Sequence, residues 1–231
     1  CIIEEGFTPE FNEISESVFS IANGKFGQRA NFEEKYSGKT LQGNYVAGVY
    51  YPDKTRVGWW KNGYPEYFAK VLNAPNWLGI EVTIEGVEFD LATCFVSEFK
   101  RVLNMKEGWL QRSFVALLPN GKKIKVDAKR FVSIVDTETA VIKYSITPID
   151  FSADVVFKLS IDGDIKNKDS NYDEKFWSPI ATEVSTDAAY ITMETKKTFF
   201  QVCTGMKFRV VQNGVLLNEL PANTINEEKF V

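Results

Sequence analysis

The chain has 231 residues, 44% of them hydrophobic and 25% charged. That length fits one large domain or at most two small ones, with enough chain to bury a core without metal or disulfide staples. A formal charge of −4 excludes the electrostatic footprint of a DNA-, RNA- or anionic-membrane-binding surface, and 18 Phe, 9 Tyr and 5 Trp exclude a disordered chain.

In chain order, Thr8-Pro9-Glu10 opens a short turn, and Glu13 to Ile21 holds one or two helical turns. Asn23-Gly24-Lys25-Phe26-Gly27 reads as a tight turn. Tyr67 to Leu72 is a second helical candidate. From Ile80 the period is two: Ile80, Val82 and Ile84 alternate with Glu81, Thr83 and Glu85, Gly86 turns the chain, and Val87, Phe89 and Leu91 continue it. Leu110–Leu118 is a strand closed by Pro119-Asn120-Gly121, and Ile124, Val126 and Ala128 share one face of the next. Ala140–Ile146, Val155–Ile161, Tyr190–Thr195, Phe199–Thr204 and Lys207–Gln212 follow, and Asn213-Gly214 turns into Val215–Leu217. At least ten strand candidates separated by turn signals predict an all-β sandwich or barrel. No linker or repeat divides residues 1–231, which are expected to form a single domain. The longest apolar run, Phe114 to Leu118, is far short of a membrane span of about 18 residues.

The chain contains no histidine, which removes Ser-His-Asp triads, Cys-His dyads, imidazole bases and His-containing zinc sites. Cys1, Cys94 and Cys203 read as reduced thiols of a cytosolic protein. Ser37-Gly38-Lys39-Thr40 has the tail of a phosphate-binding loop, but Glu33 stands where its first glycine belongs. Asp169, Asn171 and Asp173 have calcium-loop spacing, yet Glu174 and Ile180 occupy the glycine and closing-carboxylate positions. Both read as ordinary polar loops. The adjacent acids Glu4-Glu5, Glu33-Glu34 and Glu227-Glu228 would fall on opposite faces of a strand and read as surface charge. No metal or organic cofactor is expected.

The segment from Trp59 to Phe68 places five aromatics in ten positions, with Asn62-Gly63 and Tyr64-Pro65 marking it as a loop. Trp59, Trp60, Lys61 and Tyr64 are the candidate site residues. Three uses are open: packing on the chain's own core, docking on a protein partner, or stacking on a sugar ring.

Several segments together resemble glycoside hydrolase family 65. They are Glu16–Arg29, Asn31–Glu34, Asn44–Tyr50, Asn73-Ala74-Pro75, Leu103–Arg112 and Arg130–Ser133. Gly58–Phe68, with Asp169–Tyr172 and Phe176-Trp177, is similar to the maltose phosphorylases of that family in particular. The resemblance runs from about residue 3 to about residue 200. It implies an N-terminal two-sheet super-sandwich of the galactose-mutarotase type, joined by a helical linker to an α/α-barrel in enzymes that are commonly dimeric. On this reading the chain is an N-terminal fragment, and the barrel with its catalytic glutamate and phosphate site is absent from it. The parent reaction would be inverting phosphorolysis of maltose to glucose and β-glucose 1-phosphate. One carboxyl protonates the glycosidic oxygen while phosphate attacks the opposite face of the ring. No catalytic residue is carried over to residues 1–231. The implied partners are the chain's own barrel, a second subunit, and a disaccharide and phosphate bound by the parent enzyme, without nucleic acid or membrane.

Three functions compete. The first is a non-catalytic structural and docking domain, which should expose an apolar surface that the barrel normally buries. The second is an autonomous carbohydrate-binding module, and the third is a sugar-converting enzyme relying on a carboxylate pair alone.

Overall fold

The computed structural model describes residues 1–55, 63–168, 174–217 and 229–230. The architecture is all-β and antiparallel, as the alternation predicts. The chain begins with β1 (Ile2–Glu5), α1 (Asn12–Val18), β2 (Ile21–Ala22), β3 (Phe26–Gln28), β4 (Asn44–Val46), β5 (Tyr50–Lys54) and β6 (Tyr67–Val71). It continues with β7 (Ile80–Ile84), β8 (Val87–Glu88), β9 (Phe95–Asn104), β10 (Trp109–Leu117), β11 (Lys123–Val132), β12 (Ala140–Ile149) and β13 (Val155–Leu159). The remainder is β14 (Ile161–Asp162), β15 (Trp177–Val184), β16 (Ala188–Thr195), β17 (Gln201–Lys207), β18 (Val210–Gln212), β19 (Val215–Leu217) and β20 (Lys229–Phe230).

These elements form two compact units, each drawn from two separate stretches of chain. The first takes Cys1–Asn44 and Leu78–Leu159; the second takes Tyr45–Trp77 and Ser160–Val231.

In the first unit the sheet runs β1-β9-β10-β11-β12 and faces a smaller sheet ordered β13-β7-β8. Ile80, Val82 and Ile84 of β7 pack on Phe114, Ala116, Ile124 and Val126 of the large sheet. Burying one such side chain stabilises the fold by about 1.5–3 kcal/mol. A second apolar cluster, with Phe19, Ile21, Leu103, Leu110 and Val132, lies at the other end of that face. Glu85 and Gly86 both take positive φ, 50° and 77°, which gives the β7–β8 hairpin the turn its strand twist requires. β9 carries a bulge: its pairing with β10 shifts between Ser113 and Val115, and Glu98 sits at φ 55°.

The second unit holds the sheet β15-β16-β17 and the ribbons β5-β6, β14-β20 and β18-β19. Its core gathers Tyr51, Leu72, Ile161, Ile165, Phe176, Trp177, Ile191 and Met193. The Trp177 indole N–H donates to the Asn73 carbonyl at 2.8 Å, which satisfies a buried donor. Asn213-Gly214 forms the expected turn, with φ of 51° and 82°.

Several elements differ from expectation, β6 and β8 among them. Tyr67–Val71 is a strand and not a helix, because its backbone groups pair with β5 from Tyr50↔Val71 to Lys54↔Tyr67. The strand expected over Val87–Leu91 stops at Glu88, where Asp90 caps a 3-10 turn by accepting from the Ala92 N–H.

Candidate functional site

Of the four candidate site residues, Tyr64 is the one described, and it is exposed. Trp59, Trp60 and Lys61 lie outside the described residues. The loop joins β5 and β6, and the Thr55 N–H to Glu66 carbonyl bond of 2.8 Å extends their ladder by one pair. The strand period sorts the ribbon into two faces. Tyr51, Asp53 and Lys70 point inward and are buried. The Lys70 ammonium pairs with the Asp53 carboxylate and lies 5.3 Å from the Phe176 ring centroid. Tyr50, Tyr67 and Val71 share the opposite face and are exposed. Tyr50 also meets Phe200 edge-on at 5.3 Å, and its carbonyl accepts from the Thr198 hydroxyl at 2.9 Å. This outward face offers flat apolar rings to a sugar or a protein.

Among the described residues a dense group of ionisable side chains lies in the first unit, where arginines given no role by the sequence reading meet Glu33 and Glu34. β9, β10 and β11 each turn one arginine inward: Arg101, Arg112 and Arg130, all buried. The signal was present in the alternation. Arg112 continues the Leu110, Phe114, Ala116 parity, and Arg130 continues the Ile124, Val126, Ala128 parity. Arg112 makes a bidentate pair with Glu34, Nη1–Oε1 2.5 Å and Nη2–Oε2 2.6 Å, and Nη2 also reaches Glu33 Oε2 at 2.7 Å. Arg130 Nη1 donates to Glu33 Oε1 at 2.8 Å and to the Asn31 carbonyl at 2.9 Å. Glu33 therefore bridges two guanidinium groups.

The surface-charge reading of Glu33-Glu34 is thus corrected. Both acids sit in a bend and not on a strand, so their carboxylates are not forced apart and both turn onto the arginines. Burial pushes the Glu33 carboxyl up, but Arg130 and Arg112 outweigh it and hold the group below its ordinary 4.5. Burial pulls Arg101 down to about 10, and the like charges of Arg112 and Arg130 add to this while Glu4 and Glu16 oppose it. Ala30, Asn31, Glu33, Leu110, Ala128 and the three arginines line a cavity of about 10 Å³. That is room for one water molecule and not for a sugar ring. These acids pair with fixed cations, and the cavity beside them has no room for a sugar ring.

Other sequence motifs within the described residues make bonds that hold the fold. Glu4 and Glu5 do fall on opposite faces of β1: Glu4 accepts from the Ser15 hydroxyl at 2.7 Å, while exposed Glu5 pairs with Lys100 at 2.9 Å. Within Ser37–Thr40, the Ser37 N–H donates to Asp90 at 3.1 Å and the Thr40 hydroxyl to Glu16 at 2.5 Å, so these groups already serve the fold. The Asn23 turn is tied to the β11–β12 loop, with Asn23 Nδ2 donating to the Ser133 and Thr137 carbonyls at 2.6 and 2.9 Å. Asp169, Asn171, Asp173 and Glu227-Glu228 lie outside the described residues. Cys1, Cys94 and Cys203 are free thiols. Among the described residues no group of three or more metal-ligating side chains converges, and no helix is long and apolar enough to cross a membrane.

Comparison with known proteins places this architecture. The family described as glycosyl hydrolase family 65, N-terminal domain, matches residues 2–229. The chain is 43% identical over 189 residues to the maltose phosphorylase of Bacillus subtilis (strain 168), covering 82% of this chain and 25% of that protein. It is 32% identical over 166 residues to the kojibiose phosphorylase of Thermoanaerobacter brockii, covering 72% and 20%. A solved structure provisionally assigned as a kojibiose phosphorylase from the human microbiome superimposes with a TM-score of 0.84 at 27% identity, over 99% of this chain and 29% of that one. The chain spans about a quarter of the length of these relatives. It belongs to glycosyl hydrolase family 65, as the N-terminal domain of that family.

Proposed function

We propose that residues 1–231 are one non-catalytic structural and docking domain of a cytoplasmic, inverting disaccharide phosphorylase. Its partners are then the enzyme's own C-terminal α/α-barrel and a second subunit. The parent reaction is maltose plus phosphate to glucose plus β-glucose 1-phosphate, with the acid and the phosphate-binding groups lying on the barrel. The observation that carries this reading is the 43% identity to a maltose phosphorylase of which the chain spans 25%. The buried Glu33–Arg112–Glu34 arrangement supports it, because the best-formed acid cluster is already spent on arginines. The test is glucose 1-phosphate release from maltose and phosphate. The complete reading frame should turn over and the 231-residue chain should not. Turnover by the 231-residue chain, or a reading frame that stops at Val231, overturns the proposal.

The exposed rings of Tyr50, Tyr64 and Tyr67 favour a second reading, an autonomous carbohydrate-binding module. Calorimetry with maltose and longer glucans distinguishes the two. Binding in the 231-residue chain that disappears in Tyr67→Ala and Trp59→Ala would support the module.

A further inference from the structure

The short helix α1 is packed inside out. Its inward residues are Asn12, Ser15 and Glu16, all buried. Asn12 Nδ2 donates to Glu16 Oε1 at 2.9 Å and to the Lys39 carbonyl at 3.1 Å, while its Oδ1 accepts from Arg101 at 3.1 Å. The Ser15 hydroxyl donates to Glu4, and Glu16 accepts from the Leu41 N–H at 2.8 Å. The polar face is held by the buried Arg101 network and cannot rotate outward without stranding those groups.

The exposed side carries an apolar stripe that begins at the residue before the helix and runs beside exposed Ser17. Phe11, Ile14 and Val18 are 60%, 62% and 48% exposed. Their spacing of three and four residues aligns them in one stripe. A surface helix normally turns such a stripe to its own core, and this one turns it away.

We propose that the Phe11–Ile14–Val18 stripe is a docking surface for the remainder of the phosphorylase polypeptide. The inference rests on the domain reading above and adds the surface that makes the contact. The occupant is argued from length: about three quarters of the matched maltose phosphorylase lies outside the region that this chain covers. An i, i+3, i+7 row of anchors is also the pattern that seats against an apolar surface of a folded partner. Exposed Glu10, immediately before Phe11, calls for a basic side chain at the edge of that surface.

Hydroxyl-radical footprinting tests this on the 231-residue chain and on the complete reading frame. Oxidation of Phe11 should slow severalfold in the complete polypeptide. Ile14→Asp should lower the melting temperature of the complete polypeptide and leave that of the 231-residue chain unchanged. Equal oxidation of Phe11 in both chains overturns the proposal, even if the 231-residue chain is inactive and the domain reading stands. Protection of Phe11 in the 231-residue chain that grows with its concentration also overturns it, because the occupant is then a second copy. Phosphorolysis by the 231-residue chain defeats the domain reading itself, whatever the footprint shows.

Discussion

The charged interior of the first unit and the aromatic ribbon of the second invert the usual expectation in opposite directions. In the first, Arg112, Arg130, Glu33 and Glu34 bring chemistry-bearing groups together, yet each group is consumed by another. In the second, Tyr50, Tyr67 and Val71 form no such cluster and are exposed to solvent. Convergent charge here marks groups already paired with one another, whereas a folded chain retains unburied apolar surface only at some cost in hydration.

The sharpest way to break this contrast is Arg112→Met. It leaves buried Glu34 without its bidentate partner and Glu33 with Arg130 alone, and should cost about 3–5 kcal/mol in urea denaturation, with Arg112→Lys in between because it loses the bidentate fork. A loss under about 1 kcal/mol would mean that the cluster is not holding the sheet. Acid titration should give the next largest effect. The Glu33 carboxyl is depressed in the folded state, so its contribution is fully present above its ordinary 4.5 and is lost as pH falls through the lower folded value. The melting temperature should drop on acidification below that point, and Glu33→Gln should flatten the drop while lowering stability at neutral pH. The smallest effect is expected on the ribbon. Tyr67→Ser should change the stability of the 231-residue chain by no more than about 0.5 kcal/mol. A larger loss would show that this face packs on its own unit.

Much of the fold was legible where polarity alternates without interruption. β7, β10, β11, β12 and β16 follow their apolar parity, and the Glu85-Gly86 and Asn213-Gly214 turns lie where the residues place them. The sequence was opaque where polarity inverts or the period slips. β9 escapes notice because the bulge at Glu98 shifts the parity and because inward Arg101 interrupts it. β15 is hidden by Pro179 and by a register shift between Pro179 and Ala181. β6 buries only Lys70 and exposes its apolar residues, so the strand pattern reads backwards. The buried acids were missed for the same reason: Glu33 and Glu34 look like surface charge until the inward arginines are counted. Of the proposed aromatic site, Tyr64 is exposed, as a loop residue should be.

The interleaving of the two units has a consequence for biosynthesis. Tyr45–Trp77 leaves the ribosome before Leu78–Leu159 can complete the first unit, and it waits for Ser160 onward before its own core can close. Ile161, Phe176, Trp177, Ile191 and Met193 must all be translated before Tyr51 and Leu72 find cover. Such distant pairings form slowly and leave unpaired strand edges exposed in the meantime. A chain truncated near residue 159 would contain all of the first unit yet leave Tyr51 and Leu72 without the residues that cover them.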